Sequence, residues 1–166
     1  MRRFRAGDAG PLAELETRAA AVFSEYGYPG IAAEPARTEI AFEALGFGGV
    51  ILVAETQSGI PAGFAAAGDE GGVFWLREMS VDPGHRRNGL GSALLNAILE
   101  EAGRHSCRAV ALSTFRDLPF NAPFYARHGF KIADEEGVPA MLRTRMQTEM
   151  PPGVDPQTRV LMMRHL

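Results

Sequence analysis

A short basic turn that contains two glycines is the clearest place in this sequence for chemistry on an anionic group. The segment "SVDPGHRRNGLGSALL" carries Arg86 and Arg87 ahead of Gly89 and Gly91, and leucines at helical spacing follow. The first N–H groups of a helix lack internal partners and carry a partial positive charge, and glycine lets a ligand approach the backbone closely. Arginines add charge-assisted hydrogen bonds. The pattern predicts a phosphate site, and a plain surface turn with solubilising arginines stays open as the alternative.

Two other phosphate-binding patterns fit this turn poorly. A Walker loop needs a Gly-Lys pair, and Lys131, the one lysine of the chain, follows a phenylalanine. A dinucleotide fingerprint needs a third glycine, and Leu94 stands at that position in "GLGSAL". The turn is therefore not explained by either pattern.

A second candidate for chemistry is Glu78, a carboxylate inside the apolar run "WLREMSV". A carboxylate in such a strand costs free energy unless it is paired or functional, so Glu78 is either a catalytic base or a partly exposed residue paired to an arginine. Strict strand alternation predicts two faces, one with Leu76, Glu78 and Ser80 and the other with Trp75, Arg77, Met79 and Val81.

The elements that must position these residues begin with a strand at "RRFRAGD" and two helices. We expect the first helix over "PLAELETRAAAVFSEY", with Asp8 or Gly10 as its cap, and the second over "AEPARTEIAFEAL", opening near Pro35. The runs "VILVAE", "PAGFAAAG" and "GVFWLREMSV" then form an antiparallel three-strand meander. The meander leads directly into the basic turn.

The second half of the chain alternates helices and strands. A helix from Leu90 leads to the strand "RAVALSTF" by a right-handed parallel crossover, and "NAPFYARHG" forms a short helix capped by Asn121. "FKIAD" and "TRVLMMRHL" are the last two strands, and "VPAMLRTRMQTEM" between them can be helical. The sequence predicts an α/β fold with one mixed sheet, in the order β-α-α-β-β-β-α-β-α-β-β.

Size and charge narrow the function classes. The 166 residues suit one domain spanning 1–166, and a net charge of −3 gives no basic field for nucleic acid or an anionic membrane. The single cysteine, Cys107, excludes a disulfide framework or a cysteine-cluster metal site. The lone cysteine, together with a chain start that has no apolar stretch typical of a signal peptide or anchor, makes us expect a cytoplasmic protein. We also expect no metal.

Two motifs resemble those of one family. "VDPGHRRNGLGSALL" resembles the acyl-CoA-binding motif of the GNAT superfamily of N-acetyltransferases, Arg/Gln-x-x-Gly-x-Gly/Ala, at Arg86, Gly89 and Gly91. "NAPFYARHGF" is similar to a later motif of the same family, and its matching residues are Asn121, Tyr125, Gly129 and Phe130. The order of the predicted elements matches the family over nearly the whole chain.

The resemblance implies residue roles. It implies Glu78 as general base, Tyr125 as the acid that protonates the departing thiolate, and an N–H near Met79 that polarises the thioester carbonyl. It also implies an acetyl-CoA site, for which we predict Met79, Ser80, Val81, Arg86, Arg87, Asn88, Gly89, Leu90, Gly91 and Asn121.

The resemblance further implies direct transfer from acetyl-CoA to the primary amine of a small molecule, with the N-terminus of a peptide or protein as a less favoured acceptor. A non-catalytic acyl-CoA sensor of the same fold is the alternative. We expect the acceptor pocket between the N-terminal helices and the C-terminal strands, with Phe23, Tyr26, Tyr28, Arg116 and Asp117 near it. An exposed sheet edge at the C-terminal strand makes a homodimer plausible.

Overall fold

Seven strands of the described residues form one mixed sheet. The computed structural model describes residues 1–134 and 138–166. The strands are β1 (Arg2–Arg3), β2 (Gly49–Glu55), β3 (Pro61–Asp69), β4 (Val73–Val81), β5 (Ala109–Phe115), β6 (Lys131–Ile132) and β7 (Arg159–His165). Their order across the sheet is β1-β2-β3-β4-β5-β7-β6, and every neighbouring pair is antiparallel except β4 and β5. The predicted mixed sheet, meander and parallel crossover are confirmed.

Helices cover both faces of the sheet. They are α1 (Ala9–Ala20), α2 (Pro29–Ala32), α3 (Glu39–Leu45), α4 (Leu90–Arg104), α5 (Ala122–Arg127) and α6 (Ala140–Thr148). Helices α4 and α5 pack on one face, which we call the α4 face, and α1 and α3 pack on the other, which we call the α1 face. Because both faces are covered, β2 and β3 are almost continuously apolar. No helix of the described part combines the length and apolarity needed to cross a membrane.

The helices differ from the prediction in four places. The first helix begins at Ala9 and ends at Ala20, where a 3-10 helix continues to Tyr26; Gly10 lies inside it, and Asp8 precedes it without a side-chain cap. The second predicted helix begins at Glu39 and not near Pro35, because the hydroxyl of Thr38 accepts the N–H of Ala41 and caps it there. "YGYPGI" contains the short helix α2, and α6 occupies the segment that could be helical. Asn121 precedes α5 as predicted, but its side chain does not cap the helix.

The C-terminal strand is not an edge of the sheet. Strand β7 lies between β5 and β6, and the two edges are β1 and β6, each of two residues. The edge that was expected to favour a homodimer was therefore assigned to the wrong strand. Edges this short offer little backbone for pairing with another chain.

A bulge in β4 changes which side chains share a face. Ala66 pairs with Glu78 and Ala67 pairs with Leu76, so Arg77 has no partner on β3. The extra residue reverses the alternation beyond it. Met79 and Val81 consequently pack on the α4 face with Leu76, and not with Trp75 as strict alternation predicts. Glu78 and Ser80 do share a face, as predicted, but it is the α1 face.

Strands β4 and β5 separate halfway along their length. Their pairing ends at Trp75 and Ala111, although β4 continues to Val81 and β5 to Phe115. Beyond that point β4 pairs only with β3, and β5 pairs only with β7. The free edge of β4 leaves an opening in the sheet through which the α4 face and the α1 face meet.

Candidate active site

The turn before α4 presents a row of unpaired backbone N–H groups. Arg87 and Gly89 have left-handed backbone conformations, with φ of 63° and 75°. The amides of residues 87–92 donate no hydrogen bond to any residue in the described part of the chain. Left-handed residues next to a helix start curve the backbone so that successive N–H groups converge, which suits phosphate oxygens. The predicted residues Arg87, Asn88, Gly89, Leu90 and Gly91 all lie in this row.

Arg86 lies beside the row and has a different contact in this structure. Its guanidinium donates to the carbonyl of Ala19 at the end of α1, over 2.9 Å. Asp82, four residues earlier, accepts two hydrogen bonds from Arg18, at 2.7 and 3.0 Å. The turn is thus fastened to α1, and Arg86 keeps its remaining donors for an anion.

Helix α5 is held against the start of α4. The Nε2 atom of His128 lies 2.9 Å from the hydroxyl of Ser92, and its Nδ1 atom lies 2.9 Å from the carbonyl of Phe124. At the other end of α5, Asn121 donates to the hydroxyl of Thr114 over 2.8 Å, and its buried Oδ1 atom has no partner in the described residues. Asn121 therefore brings an unused acceptor to the α4 face.

Tyr125 lies on α5 among apolar neighbours, and the side chain of Phe130 packs against its ring. No hydrogen bond to its hydroxyl is found within residues 1–134 and 138–166. Burial raises the pKa of this phenol well above its ordinary value, the charge of Glu78 adds to the rise, and Arg159 opposes it. The hydroxyl stays protonated at neutral pH, which is the form that a general acid needs.

Glu78 holds the N–H that was expected to polarise a carbonyl. Its Oε1 atom accepts the N–H of Met79 over 3.0 Å and the hydroxyl of Ser80 over 3.2 Å. The amide of Met79 is thus on the free edge of β4, as expected, but it is already paired. It becomes available to another oxygen only when the carboxylate turns away.

Glu78 also belongs to a network of charges that the sequence reasoning missed. Arg37 donates to Glu78 Oε2 over 3.2 Å and to both oxygens of Glu16 over 2.9 and 3.1 Å. Burial, together with the negative charge of Glu78, raises the pKa of Glu16 to about 7, although Arg37 opposes the shift. Glu78 is therefore paired to an arginine, and a second carboxyl beside it changes protonation near neutral pH.

A second missed residue is Arg159, at the start of β7. Its guanidinium lies 4.8 Å from the centre of the Phe115 ring and donates to the hydroxyl of Ser113 over 3.0 Å. Burial lowers the pKa of Arg159, although the charges of Glu149 and Glu78 oppose the shift. Nothing in the sequence marks this arginine, because its neighbours come from strands that are distant along the chain.

Aromatic rings from the N-terminal half complete the α1 face near Arg159. The ring of Tyr28 lies 4.5 Å from that of Phe115, and Phe23 lies 5.6 Å from Phe115 and 5.5 Å from Phe120. Tyr26 contacts Phe120 at 5.4 Å. The three expected aromatic residues do come together, at the end of β5.

Other expected residues contribute less. Arg116 and Asp117 are exposed beyond β5. Cys107 is buried. Its burial and, to a smaller extent, the negative charge of Asp69 raise the pKa of its thiol to about 11, which disfavours a thiolate nucleophile. Within the described residues, no group of three or more His, Cys, Asp or Glu side chains could hold a metal ion.

Comparison with known proteins supplies the wider context. Residues 47–132 match the family model described as "Acetyltransferase (GNAT) domain". A mycothiol acetyltransferase of Kineococcus radiotolerans is 39% identical over 93 residues, which are 54% of this chain and 30% of that protein. The mycothiol acetyltransferase of Geodermatophilus obscurus is 35% identical over 114 residues, which are 68% of this chain and 33% of that protein. The chain thus spans about a third of the length of these relatives.

Solved structures share the fold at low sequence identity. A GNAT-family acetyltransferase of Staphylococcus aureus superposes with a TM-score of 0.72 at 17% identity, covering 99% of this chain and 97% of that one. The Rv2747 protein of Mycobacterium tuberculosis, solved in complex with CoA, gives 0.72 at 22% identity, with coverage of 99% and 98%. The N-acetylglutamate synthase of Neisseria gonorrhoeae, solved with coenzyme A and N-acetyl-glutamate, gives 0.72 at 18% identity, with coverage of 99% and 34%.

Proposed function

Because the chain belongs to the GNAT family of acetyltransferases, we propose that it transfers an acetyl group from acetyl-CoA to the amine of a small molecule in one ternary complex. The observation that carries the proposal is the row of unpaired amides at residues 87–92, beside the opening between β4 and β5. A phosphate-binding turn and a passage through the sheet are what a thioester on a long phosphate-bearing arm requires. We propose that residues 1–166 act as a single domain.

The residues present fit acetyl-CoA, which supplies an acetyl group activated as a thioester. The amides of residues 87–92 would hold its pyrophosphate, with Arg86 and Arg87 adding positive charge. The free edge of β4 from Met79 to Val81 has no strand partner, so its backbone groups would pair with the amides of the pantetheine arm. The unpartnered oxygen of Asn121 would accept a donor from the same ligand.

Glu78 would act as the base, directly or through a water. An alkylammonium has a pKa of about 10, so one proton must leave before its nitrogen can attack the carbonyl carbon of the thioester. Glu16, whose pKa is about 7, lies beside Glu78 and would take over this proton from it directly or through a water, while Arg37 stays charged and holds the two carboxyls together. Once Glu78 turns toward the amine, the N–H of Met79 is free to stabilise the carbonyl oxygen as it becomes negative.

Tyr125 would complete the reaction by giving a proton to the departing sulfur. As the C–N bond forms and the C–S bond breaks, the nitrogen loses a second proton and the thiolate gains one. The phenol then recovers its proton from solvent. The balance is ammonium plus thioester giving amide, free thiol and one proton, so no oxidant or further reactant is needed.

A panel of small-molecule amines with acetyl-CoA, read by release of free thiol, tests the proposal. Calorimetry measures acetyl-CoA binding in parallel. Binding with amine-dependent thiol release is the expected result, whereas binding without release by any amine supports the acyl-CoA sensor.

Tyr125→Phe separates catalysis from binding. Because the hydroxyl has no hydrogen-bond partner in the described residues, the variant should fold normally and bind acetyl-CoA with unchanged affinity. Thiol release should fall roughly a hundredfold, since a general acid is lost. Unchanged turnover would remove Tyr125 from the mechanism.

A further inference from the structure

Arg159 is a partly buried cation that contacts no carboxylate among the described residues. Its described contacts are the Ser113 hydroxyl and the face of the Phe115 ring, and its Nε atom is buried without a hydrogen bond. No carboxylate of residues 1–134 or 138–166 lies within salt-bridge distance of it. A guanidinium taken out of water without a counter-ion costs free energy, so its retention calls for a ligand.

Among the other half-buried arginines of the described residues, Arg2, Arg37, Arg77 and Arg145 contact a carboxylate, whereas Arg164 donates to the carbonyl of His128. Arg2 contacts Asp8 at 2.7 Å, Arg37 contacts Glu16 at 2.9 Å, and Arg77 contacts Glu70 at 3.0 Å. Arg159 therefore differs from these four arginines, and it differs from Arg164 in that its Nε atom is buried without a described hydrogen bond.

The nearest acidic groups are already engaged. Glu149 accepts the indole N–H of Trp75 over 2.9 Å and pairs with Arg145 over 2.9 Å. Glu78 is paired with Arg37 and holds the Met79 amide. Both carboxylates influence Arg159 electrostatically, but neither contacts it.

Arg159 lies on the α1 face, beside the aromatic rings at the end of β5. Its strand position pairs with Phe115, whose ring also contacts Tyr28. Its charge interacts with that of Glu78 and affects the Tyr125 phenol, so it lies near both groups assigned to proton transfer. The site therefore has a base on one side, a cation on another and an aromatic wall between the N-terminal half and β5.

We propose that Arg159 binds the carboxylate of the acceptor, so that the acceptor is an amino acid or a similar amine that carries an acidic group. The planar fork of arginine matches a carboxylate with two parallel hydrogen bonds, and Phe115 behind it fixes its plane. The opposite charge of Glu78 attracts the ammonium end of the same molecule. This inference rests on the proposed function, because it names the substrate class for that site.

Binding of reaction products to the protein with CoA tests the inference without turnover. The probes are N-acetylamino acids with small, apolar, aromatic, acidic and basic side chains, each compared with its own carboxamide by calorimetry. Since neither probe of a pair has a basic α-amine, the comparison isolates the carboxylate. We expect at least one acid to bind roughly tenfold to a hundredfold more tightly than its carboxamide.

Arg159→Gln should abolish that preference while leaving the affinity for the carboxamide unchanged. Arg159→Lys should keep part of it, because it retains the charge but not the fork. Arg164→Gln, on the same strand but bonded to the carbonyl of His128, is the matched control and should keep the full preference. Thermal unfolding of each variant verifies folding.

Equal affinity for every acid and carboxamide, failure of all the acids to bind, or a preference that survives in Arg159→Gln would each overturn the inference. Acetylation of simple amines without any preference for acids would overturn it and leave the proposed function standing. Tight, Arg159-dependent binding of acids without acetylation of any amine would support carboxylate recognition by Arg159 but overturn the proposed function, and with it the assignment of the bound acid as an acceptor.

Discussion

The two faces of the sheet build their candidate sites from different materials. On the α4 face the turn before α4 offers backbone N–H groups, and the phenol of Tyr125, which we propose as the general acid, is buried among apolar side chains. On the α1 face the groups are acidic and basic side chains from four separate elements or loops: Glu16, Glu78, Arg37 and Arg159.

The difference indicates which property substitutions on each face would change, donor binding or acceptor recognition. Backbone amides bind phosphate whatever the neighbouring side chains are, so a donor site of this kind is compatible with many acceptors. Charged side chains recognise one arrangement of charges, and single substitutions alter it. We therefore expect substitutions on the α1 face to affect chemistry and acceptor choice, and substitutions in the turn to affect donor affinity.

Glu78→Gln gives the largest expected effect and sharpens the comparison. The amide cannot accept a proton, so turnover should fall roughly a hundredfold or more, while acetyl-CoA binds with unchanged affinity. Thiol release measures the first quantity and calorimetry the second. Glu14→Gln, an exposed position on α1, is the control. Loss of acetyl-CoA affinity with normal turnover would reverse the roles assigned to the two faces.

Glu16→Gln should change how stability depends on pH. The pKa of Glu16 is raised from 4.5 to about 7 in the folded protein, so its stabilising contribution is present below 4.5 and is lost as the pH rises through about 7. Relative to the variant, the wild type should lose on the order of 2 kcal/mol of unfolding free energy between about pH 5 and pH 8.

Urea unfolding at the two pH values measures this difference, and Glu14→Gln should show no such dependence. If the difference in unfolding free energy between wild type and Glu16→Gln is the same at both pH values, Glu16 does not change protonation between them.

Gly89→Ala tests the α4 face with the smallest expected effect. The space around Gly89 is open, so the cost is the left-handed conformation at φ 75°. Unfolding free energy should fall by about 1 kcal/mol and acetyl-CoA affinity by roughly tenfold, because the amides move from their positions. Gly103→Ala, also in open space but within α4, should instead be neutral or stabilising. Unchanged affinity in Gly89→Ala would argue against the amide row.

The α4 face was largely predictable from the sequence, and the α1 face was not. Glycines, a helix start and the Tyr125 motif are local patterns, so the turn, α4 and α5 could be located from short segments. Arg37 and Glu16 lie next to Glu78 only because separate elements pack together, and their spacing along the chain does not predict this contact. Alternation failed at β4 because a bulge at Arg77 cannot be read from the residue types alone.

Helix α1 contacts both candidate sites and connects them. Its last turn contacts the turn before α4 through Arg18 and Ala19, and Glu16, two and three residues earlier, contacts Arg37, which also contacts Glu78. These attachment points lie roughly 3 to 4.5 Å apart along the helix axis. In the proposed mechanism, one helix therefore sets the distance between acetyl-CoA in the turn and the base Glu78. Loosening α1 at either end would displace both reactants together.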